Sequence, residues 1–162
     1  MTRALTSEQL QRLMRSFEKR MSSAAVALFD QHGRVLVVKA HYKHYWSFPG
    51  GVIDAGETPR MAACRETFEE VGIRVQPDDL VFRMVVDRVG TVAETYQFVF
   101  QCAVDESTLD AARLDDKEIE GWALVTREEI LAGGRYYSPS TVQWAEGSAG
   151  YFEQAFDGDA TA

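Results

Sequence analysis

The chain lacks several features that would place it in other protein classes. It has only two cysteines, Cys64 and Cys102, too few for a disulfide framework and without metal-ligand spacing. We interpret both as small buried apolar residues. The apolar stretch at 24–29 ends at Asp30, far short of the roughly 20 residues that cross a bilayer. Because the N-terminus shows neither a signal nor a transit peptide, we expect a cytoplasmic protein without a membrane partner.

Positive charge is also scarce in this chain. The 17 Lys and Arg residues are outnumbered by 25 Asp and Glu, which gives a formal net charge of −8. An acidic surface repels the phosphate backbone, so we expect no nucleic acid polymer as partner. A small polyanionic substrate is compatible with this charge if a bound metal ion or a local basic patch screens the repulsion.

The length and the absence of repeats or linkers predict a single domain, 1–162. An N-terminal amphipathic helix is predicted within 1–20, from Thr6 to about Arg20, with Gln9 completing a capping box. We expect its apolar face to pack on the domain, although a dimer surface stays open, so the protein is a monomer or a homodimer. Residues 157–162 are predicted to form a frayed tail.

The rest of the chain shows strand patterns in pairs. Runs at 24–30 and 34–40 predict one hairpin, and runs at 80–89 and 92–104 predict a second across Gly90 and Thr91. A short strand near 122–125, a short helix capped by Thr126 and Glu129, and a last helix over 140–156 follow. Hairpins without repeated βα units predict an α+β or mixed α/β fold.

Residues 59–71 predict a helix that carries the chemistry. Thr58 is a good N-cap, Pro59 a good first residue and Gly72 a good terminator. The division of its faces is predicted from helical spacing, with core residues on one side and acids on the other. The predicted core stripe is Met61, Cys64, Phe68 and Val71, and the acids are Glu66, Glu69 and Glu70.

Three carboxylates at i, i+3 and i+4 are unfavourable near a helix C-terminus, where the macrodipole disfavours negative charge. Arg65 can pair with Glu69 and relieve part of this repulsion. Hard divalent cations such as Mg²⁺ take carboxylate oxygens as ligands. From these residues alone, a metal site and a solvated acidic face both remain open.

The wider pattern resembles the Nudix box, G-x5-E-x7-R-E-U-x-E-E-x-G-U, where U is a bulky aliphatic residue. All seven fixed positions match, at Gly51, Glu57, Arg65, Glu66, Glu69, Glu70 and Gly72. The box spans 51–73, and Trp46 with Pro49-Gly50 before it also looks like this family. Thr67 replaces the first aliphatic residue, for which we expect weaker packing without loss of chemistry.

The resemblance implies an α/β/α sandwich with a mixed central sheet and a site for Mg²⁺ or Mn²⁺. The implied metal ligands are Glu66, Glu69, Glu70 and the carbonyl of Gly50 or Gly51. Gly51, Glu57 and Gly72 are implied to shape the box. Glu57 would pair with Arg65, a pairing that competes with the helical pair of Arg65 and Glu69.

The resemblance also implies hydrolysis of a diphosphate bond in a nucleoside diphosphate linked to another moiety, by attack of water on phosphorus. A carboxylate would accept the proton of that water, and Arg65 belongs to the same machinery. Glu69 is one candidate for the proton acceptor, and Glu118 in the acidic segment 116–120 is another. Glu94 and Glu120 are weaker candidates.

Lys39, Lys43 and Tyr45 are predicted to contact a small nucleotide-type substrate, because ammonium groups bind phosphate and rings stack on bases. A solvated loop anchored by Trp46 is the alternative. The substrate itself stays open between a nucleoside triphosphate, ADP-ribose, a nucleotide sugar and a dinucleoside polyphosphate. The number of metal ions also stays open.

Two other functions are known on this fold. A ligand-binding regulator need not retain the acids of the box, so their presence favours a hydrolase. An isomerase of an allylic diphosphate needs an active-site cysteine. Neither Cys64 nor Cys102 is predicted to be exposed, which disfavours an isomerase.

Overall fold

The structure, a computed structural model, describes residues 5–17, 19–89, 94–114 and 116–155. Its helices are α1 (Ser7–Ser16), α2 (Pro59–Val71), α3 (Glu106–Asp110), α4 (Arg127–Ala132) and α5 (Pro139–Ala145). Its strands are β1 (Met21–Phe29), β2 (Val35–Ala40), β3 (Gly50–Val52), β4 (Val81–Val89), β5 (Glu94–Ala103), β6 (Ile119–Val125) and β7 (Gly150–Ala155). The predicted turn at Gly90-Thr91 and the predicted tail at 157–162 lie outside the described residues.

These strands form one mixed sheet in the order β6-β2-β1-β5-β4-β7, and β3 pairs with β1 off this path. The antiparallel pairing of β1 with β2 and of β4 with β5 confirms the two predicted strand pairs. Two neighbours are parallel, β1 with β5 and β4 with β7. Parallel neighbours need long crossover connections, which is why the strand patterns alone did not predict the order.

Helices cover both faces of the sheet and enclose two apolar cores. The first core packs α2 against β1 and β5, with Ala62 and Ala63 facing Val26. The second core lies on the opposite face, where Trp144 of α5 packs with Phe48 and partly buried Phe29. The predicted mixed α/β sandwich is therefore confirmed. No helix in the described part of the chain is long and apolar enough to span a membrane.

The glycine segment before the box forms β3, a strand that the sequence patterns did not predict. Gly50 pairs with Ala25, and Gly51 pairs with Ala24. A Cβ at Gly50 would lie only 2.2 Å from the carbonyl oxygen of Ala24, so any larger residue would push β3 away from β1. Because Gly50 has no side chain, β3 can lie directly against β1.

Helix α1 is capped as predicted, since Thr6 and Gln9 form a capping box, but it ends at Ser16 rather than near Arg20. The expectation that it packs on the domain is wrong. Its apolar residues are 43–57% exposed, namely Leu10, Leu13, Met14 and Phe17. Amphipathic spacing shows which face of a helix can be buried, but it does not supply a surface to cover that face.

The predicted last helix over 140–156 is wrong beyond Ala145. Gly147 and Gly150 adopt positive φ angles of 83° and 106°, which an α-helix cannot accommodate. The chain then continues as β7, where Tyr151 and Phe152 extend the sheet beside β4. Aromatic residues favour strands, and the neighbouring edge of β4 supplies the hydrogen bonds.

The turn between β1 and β2 is organised by the buried carboxylate of Asp30. One carboxylate oxygen accepts the backbone N–H groups of His32 and Arg34 at 2.9 and 3.0 Å, and the other accepts Nε of Arg34 at 2.7 Å. Burial would raise the pKa of Asp30, but these hydrogen bonds and the charge of Arg34 outweigh it and hold that pKa below its usual value.

We expect Asp30→Ala to lower the free energy of unfolding at pH 7 by about 2–3 kcal/mol, because it removes hydrogen bonds to a buried charged group. The folded-state pKa of Asp30 lies below the unfolded value of about 3.9, so its stabilisation is present above that pH and is lost as the pH falls through the folded-state pKa. Urea unfolding at pH 7 and pH 3 measures the difference, with the exposed Asp78→Ala as control. An equal loss at both pH values would contradict the assignment.

Candidate active site

The predicted boundaries of α2 are confirmed. The Thr58 side chain accepts the N–H of Met61, Pro59 opens the helix, and Gly72 ends it with a φ of 70° while donating its N–H to the carbonyl of Phe68. Among the described residues, α2 buries a set that differs from the predicted core stripe. The buried residues are Ala62, Ala63, Thr67, Glu70 and Val71.

The predicted core stripe is wrong at two positions, because Met61 and Phe68 are 49% and 39% exposed. Small Ala62 and Ala63 let α2 approach β1 and β3 closely, so the helix turns its small residues and part of its acidic face toward the sheet. Thr67 is wholly buried and donates its hydroxyl to the carbonyl of Ala63 at 2.7 Å. The replacement of an aliphatic residue by Thr67 therefore leaves the helix packed.

Arg65 connects the loop before α2 to the acids of α2. Its Nε and Nη2 donate to the two carboxylate oxygens of Glu57 at 2.9 and 3.0 Å. Its Nη1 donates to Glu66 at 2.7 Å and to Glu69 at 2.9 Å, and Nη2 also reaches the carbonyl of Val52 at 2.9 Å. The two expected pairs of Arg65 therefore coexist, because a guanidinium has five donors.

We use the name acidic ridge for Glu66, Glu69 and Glu70. Within it, Glu70 is only 4% exposed, and its carboxylate accepts the N–H of Gly50 at 2.8 Å. Burial raises the pKa of Glu70 to about 7, against the hydrogen bond from Gly50 and the charge of Lys43. The ridge thus holds a carboxylate that is costly to ionise without a nearby cation.

Glu66 lies against the backbone of β3. A Cβ at Gly51 would lie 2.5–2.6 Å from the carboxylate atoms of Glu66, so this carboxylate occupies the space that a side chain at Gly51 would take. Burial raises the pKa of Glu66, while Arg65 opposes the shift. The contact explains why the box has glycine at this position.

The donors at the acidic ridge fit a hard divalent cation. They are carboxylate and carbonyl oxygens, the ligands that Mg²⁺ prefers, and Glu70 is buried while Glu66 is partly buried, so little solvent screens their charge. In the described ranges, no three Asp, Glu, His or Cys side chains surround a common point. Glu66 and Glu69 point toward Arg65, and Glu70 points toward Gly50.

The tertiary structure separates the other candidate acids. Glu118, in the turn before β6, lies near enough to the acidic ridge to raise the pKa of both Glu66 and Glu70. Glu120 instead forms an ion pair with Lys39 at 3.1 Å, and Glu94 is paired with Arg20. Of these three acids, Glu118 is the one whose charge acts on both Glu66 and Glu70.

The predicted substrate-contacting residues are also separated. The Nζ of Lys43 lies 5.2 Å from the ring centre of Tyr42 and 6.0 Å from that of Tyr45. Burial lowers the pKa of Lys43, while the negative charge of nearby Glu70 opposes that shift. Lys43 is therefore within charge range of Glu70 and lies close to the ring of Tyr45, whereas Lys39 pairs with Glu120.

Sequence patterns did not identify Arg88 as a candidate. This arginine of β4 donates to the side-chain oxygen of Gln97 in β5, and its positive charge contributes to the lowered pKa of Lys43. The alternation of β4 could have identified it. Met84 and Val86 face the second core, so Arg88, two positions after Val86, is a charged residue on the apolar face of its strand.

A sequence model of the NUDIX domain matches residues 19–145 of this chain. That range covers most of the chain and the whole acidic ridge. The chain belongs to the Nudix family. It is similar to the RNA pyrophosphohydrolase of Vibrio atlanticus, with 29% identity over 64% of this chain and 69% of that protein.

Solved Nudix structures share this fold. The MutT NUDIX hydrolase from Burkholderia pseudomallei superposes with a TM-score of 0.68 at 21% identity, over 80% of this chain and 98% of that one. The NUDIX domain of Shewanella oneidensis NrtR, complexed with ADP ribose, gives a TM-score of 0.71 at 14% identity, over 88% and 96%. The predicted family, fold and class of activity, hydrolysis of a pyrophosphate bond in a nucleoside diphosphate derivative, are confirmed. Nudix hydrolases generally use divalent metal cations.

The positions of the two cysteines bear on the isomerase alternative. Cys102 is buried in the first core, as expected. Cys64 is partly buried in a cleft on the side of α2 that also exposes Met61 and Phe68. Burial raises the pKa of both thiols, which makes them poor nucleophiles. Neither thiol lies at the acidic ridge, so an isomerase is disfavoured.

We expect Gly51→Ala to reduce hydrolysis by about tenfold or more with little loss of stability. The new methyl group must displace the carboxylate of Glu66, which is the flexible end of a side chain, and a small misplacement of a reacting group is costly. Thermal unfolding and initial rates measure the two effects. Gly134→Ala, where a Cβ meets nothing within 4 Å, is the matched control, and unchanged activity in Gly51→Ala would contradict this role for the glycine.

Proposed function

We propose that this Nudix protein hydrolyses the pyrophosphate bond of a small nucleotide with the help of Mg²⁺ or Mn²⁺. The residues that would hold the cation are Glu66, Glu69, Glu70 and the carbonyl of Gly50 or Gly51. The observation that supports this proposal most is the buried carboxylate of Glu70, which accepts the N–H of Gly50 and lies near enough to Glu66 for the charge of Glu66 to raise its pKa. When bound, the cation would neutralise the diphosphate oxygens and lower the pKa of water.

The protein's own contribution begins with rigid positioning. Arg65 ties Glu66 and Glu69 to Glu57 and to the backbone of Val52. The N–H of Gly50 fixes one oxygen of Glu70. Arg65 is therefore a positioning residue, which sets the spacing between the acids of the helix and the carbonyl groups of β3.

We further propose that Glu118 accepts the proton from the attacking water. It approaches the acidic ridge from a separate turn, where its charge acts on Glu66 and Glu70. Glu69, the other candidate, forms an ion pair with Arg65 at 2.9 Å, and a bound guanidinium reduces the tendency of a carboxylate to take a proton. These contacts support Glu118 over Glu69.

The substrate range is best tested with nucleotides that differ beyond the diphosphate. A suitable panel contains a nucleoside triphosphate, ADP-ribose, a nucleotide sugar and a dinucleoside polyphosphate. The similarity to RNA pyrophosphohydrolases adds RNA with a 5′ triphosphate, although the net charge of −8 leads us to propose a small nucleotide. We propose that the protein acts in the cytoplasm, as a monomer or a homodimer.

We expect Glu70→Gln to lower turnover by roughly a hundredfold or more while the fold stays intact, because a ligand of the essential cation loses its charge. Release of phosphate or nucleotide product across the panel, with Mg²⁺ and with Mn²⁺, measures the loss. The exposed Glu146→Gln is the charge-matched control. An active Glu70→Gln enzyme would refute the ligand assignment.

Metal binding can be measured without turnover. Electron paramagnetic resonance of Mn²⁺ should show binding by the unsubstituted protein and by Glu146→Gln, and weaker binding by Glu70→Gln. Equal Mn²⁺ affinity in all three proteins would place the cation elsewhere.

We expect Glu118→Gln to lower kcat by about 10²–10⁴-fold with little change in KM, because removal of a general base acts on the chemical step. Glu120→Gln, two residues along and paired with Lys39, should retain kcat. If Glu118→Gln keeps its rate and Glu69→Gln loses it, Glu69 is the base.

A further inference from the structure

Three aromatic rings lie together where the loop between β2 and β3 meets the segment between α4 and α5. The imidazole of His44 and the ring of Tyr136 are stacked, with centroids 5.3 Å apart and planes at 10°. Tyr45 meets both rings edge-on, at 84° to His44 and 76° to Tyr136, with centroids 5.4 and 6.4 Å away. We use the name aromatic platform for these three residues. Their mutual contacts restrict the orientation of each ring.

The backbone under the platform is held by Trp46. The N–H of Trp46 donates to the carbonyl of Tyr136 at 2.8 Å, and its carbonyl accepts the N–H of Ser138 at 2.7 Å. The residue after Tyr136, Tyr137, is buried in the second core. Hydrogen bonds and a buried neighbour therefore fix the backbone from which the ring of Tyr136 projects.

Tyr136 nevertheless faces solvent. The residue is 62% exposed although His44 lies parallel to its ring, so it contributes little to the core. A tyrosine held in one orientation offers a flat contact surface at a low cost in conformational entropy. Exposed aromatic rings of this kind stack on nucleobases, because every base has a π-face.

The loop that carries His44 begins beside Glu118. β2 ends where β6 begins, since Ala40 pairs with Ile119. One residue further, the N–H of His41 donates to the carbonyl of Glu118 at 3.0 Å. His44 follows three residues later, so the chain places it within about 11 Å of His41. The platform is thus anchored next to the residue that we propose as the proton acceptor.

The same loop leads on to the acidic ridge. Gly50 follows Tyr45 by five residues and donates its N–H to the carboxylate of Glu70 at 2.8 Å. Between the platform and the ridge, the Nζ of Lys43 lies 6.0 Å from the ring centre of Tyr45, and its charge acts on Glu70. A nucleotide bound by its diphosphate at the ridge therefore has the platform within reach of its base.

We propose that the aromatic platform binds the nucleobase of the substrate, with the exposed ring of Tyr136 as the stacking surface. Tyr45 is partly buried and supports Tyr136 edge-on. The platform selects nucleotides over base-free phosphates and polyphosphates, and it accepts different bases because stacking does not read their edges. This inference rests on the proposed function, since the ridge is taken to hold the diphosphate.

The first test measures binding without turnover. AMP has no pyrophosphate bond to cleave, and ribose 5-phosphate is the matching ligand without a base. Each is titrated calorimetrically into the protein in buffer with Mg²⁺. We expect AMP to bind about tenfold or more tightly than ribose 5-phosphate. Tyr136→Leu should remove this preference, whereas Tyr136→Phe, which keeps the ring, should retain it.

Tyr151→Leu is the matched control, because it removes a tyrosine of similar exposure, 54%, from β7. It should keep the preference for AMP. The substitution at Tyr136 changes an exposed side chain, so the fold, monitored by circular dichroism, should persist. A Tyr136→Leu protein that prefers AMP by the same factor as the unsubstituted protein would overturn the proposal, as would an unsubstituted protein without the preference.

The second test separates the platform from hydrolysis. With the nucleotide of the panel that is cleaved fastest, Tyr136→Leu should raise KM about tenfold and change kcat less than about threefold, because stacking contributes equally to the ground state and the transition state. An unchanged KM would overturn the platform while hydrolysis itself stands. If no nucleotide is cleaved, the proposed function fails, and the titration with AMP decides the platform alone.

Discussion

The site depends on the close approach of α2 to the glycine strand β3. Because Gly50 and Gly51 have no side chains, Glu70 can accept a backbone N–H of β3 and Glu66 can rest on the next residue. The same approach requires small residues on the helix, which Ala62 provides at the first core. One steric condition therefore places a buried and a partly buried acid against the backbone of β3, and oxygen donors of this kind suit a hard divalent cation.

Charge is balanced locally rather than over the whole surface. The chain carries a net charge of −8, yet each acid of the site has a cation nearby. Arg65 binds Glu66 and Glu69, and the positive charge of Lys43 acts on Glu70. A polyanionic substrate meets these cations in an otherwise repulsive protein, which makes the local arrangement more informative than the overall charge.

Sequence patterns were sufficient wherever local chemistry decides the structure. The ends of α2 follow from Thr58 and Gly72, because capping hydrogen bonds form between residues close in the chain. Sequence patterns gave wrong predictions where contacts with residues distant in the chain determine the structure. The spacing of Met61 and Phe68 indicated a core stripe, but both are exposed, since the sheet accepts the smaller residues of α2. The helix pattern after Ala145 likewise gave way to pairing with β4.

The sequence by itself determined the family, the acid-bearing helix and the carboxylates proposed to bind a cation, because these depend on spacing within one short segment. The tertiary structure alone decided which distant groups join that segment. It brings Glu118 within charge range of the acidic ridge and engages Glu120 with Lys39, and it joins Arg88 to Gln97 through the pairing of β4 with β5. Contacts across strands depend on sheet order and register, which local spacing does not encode.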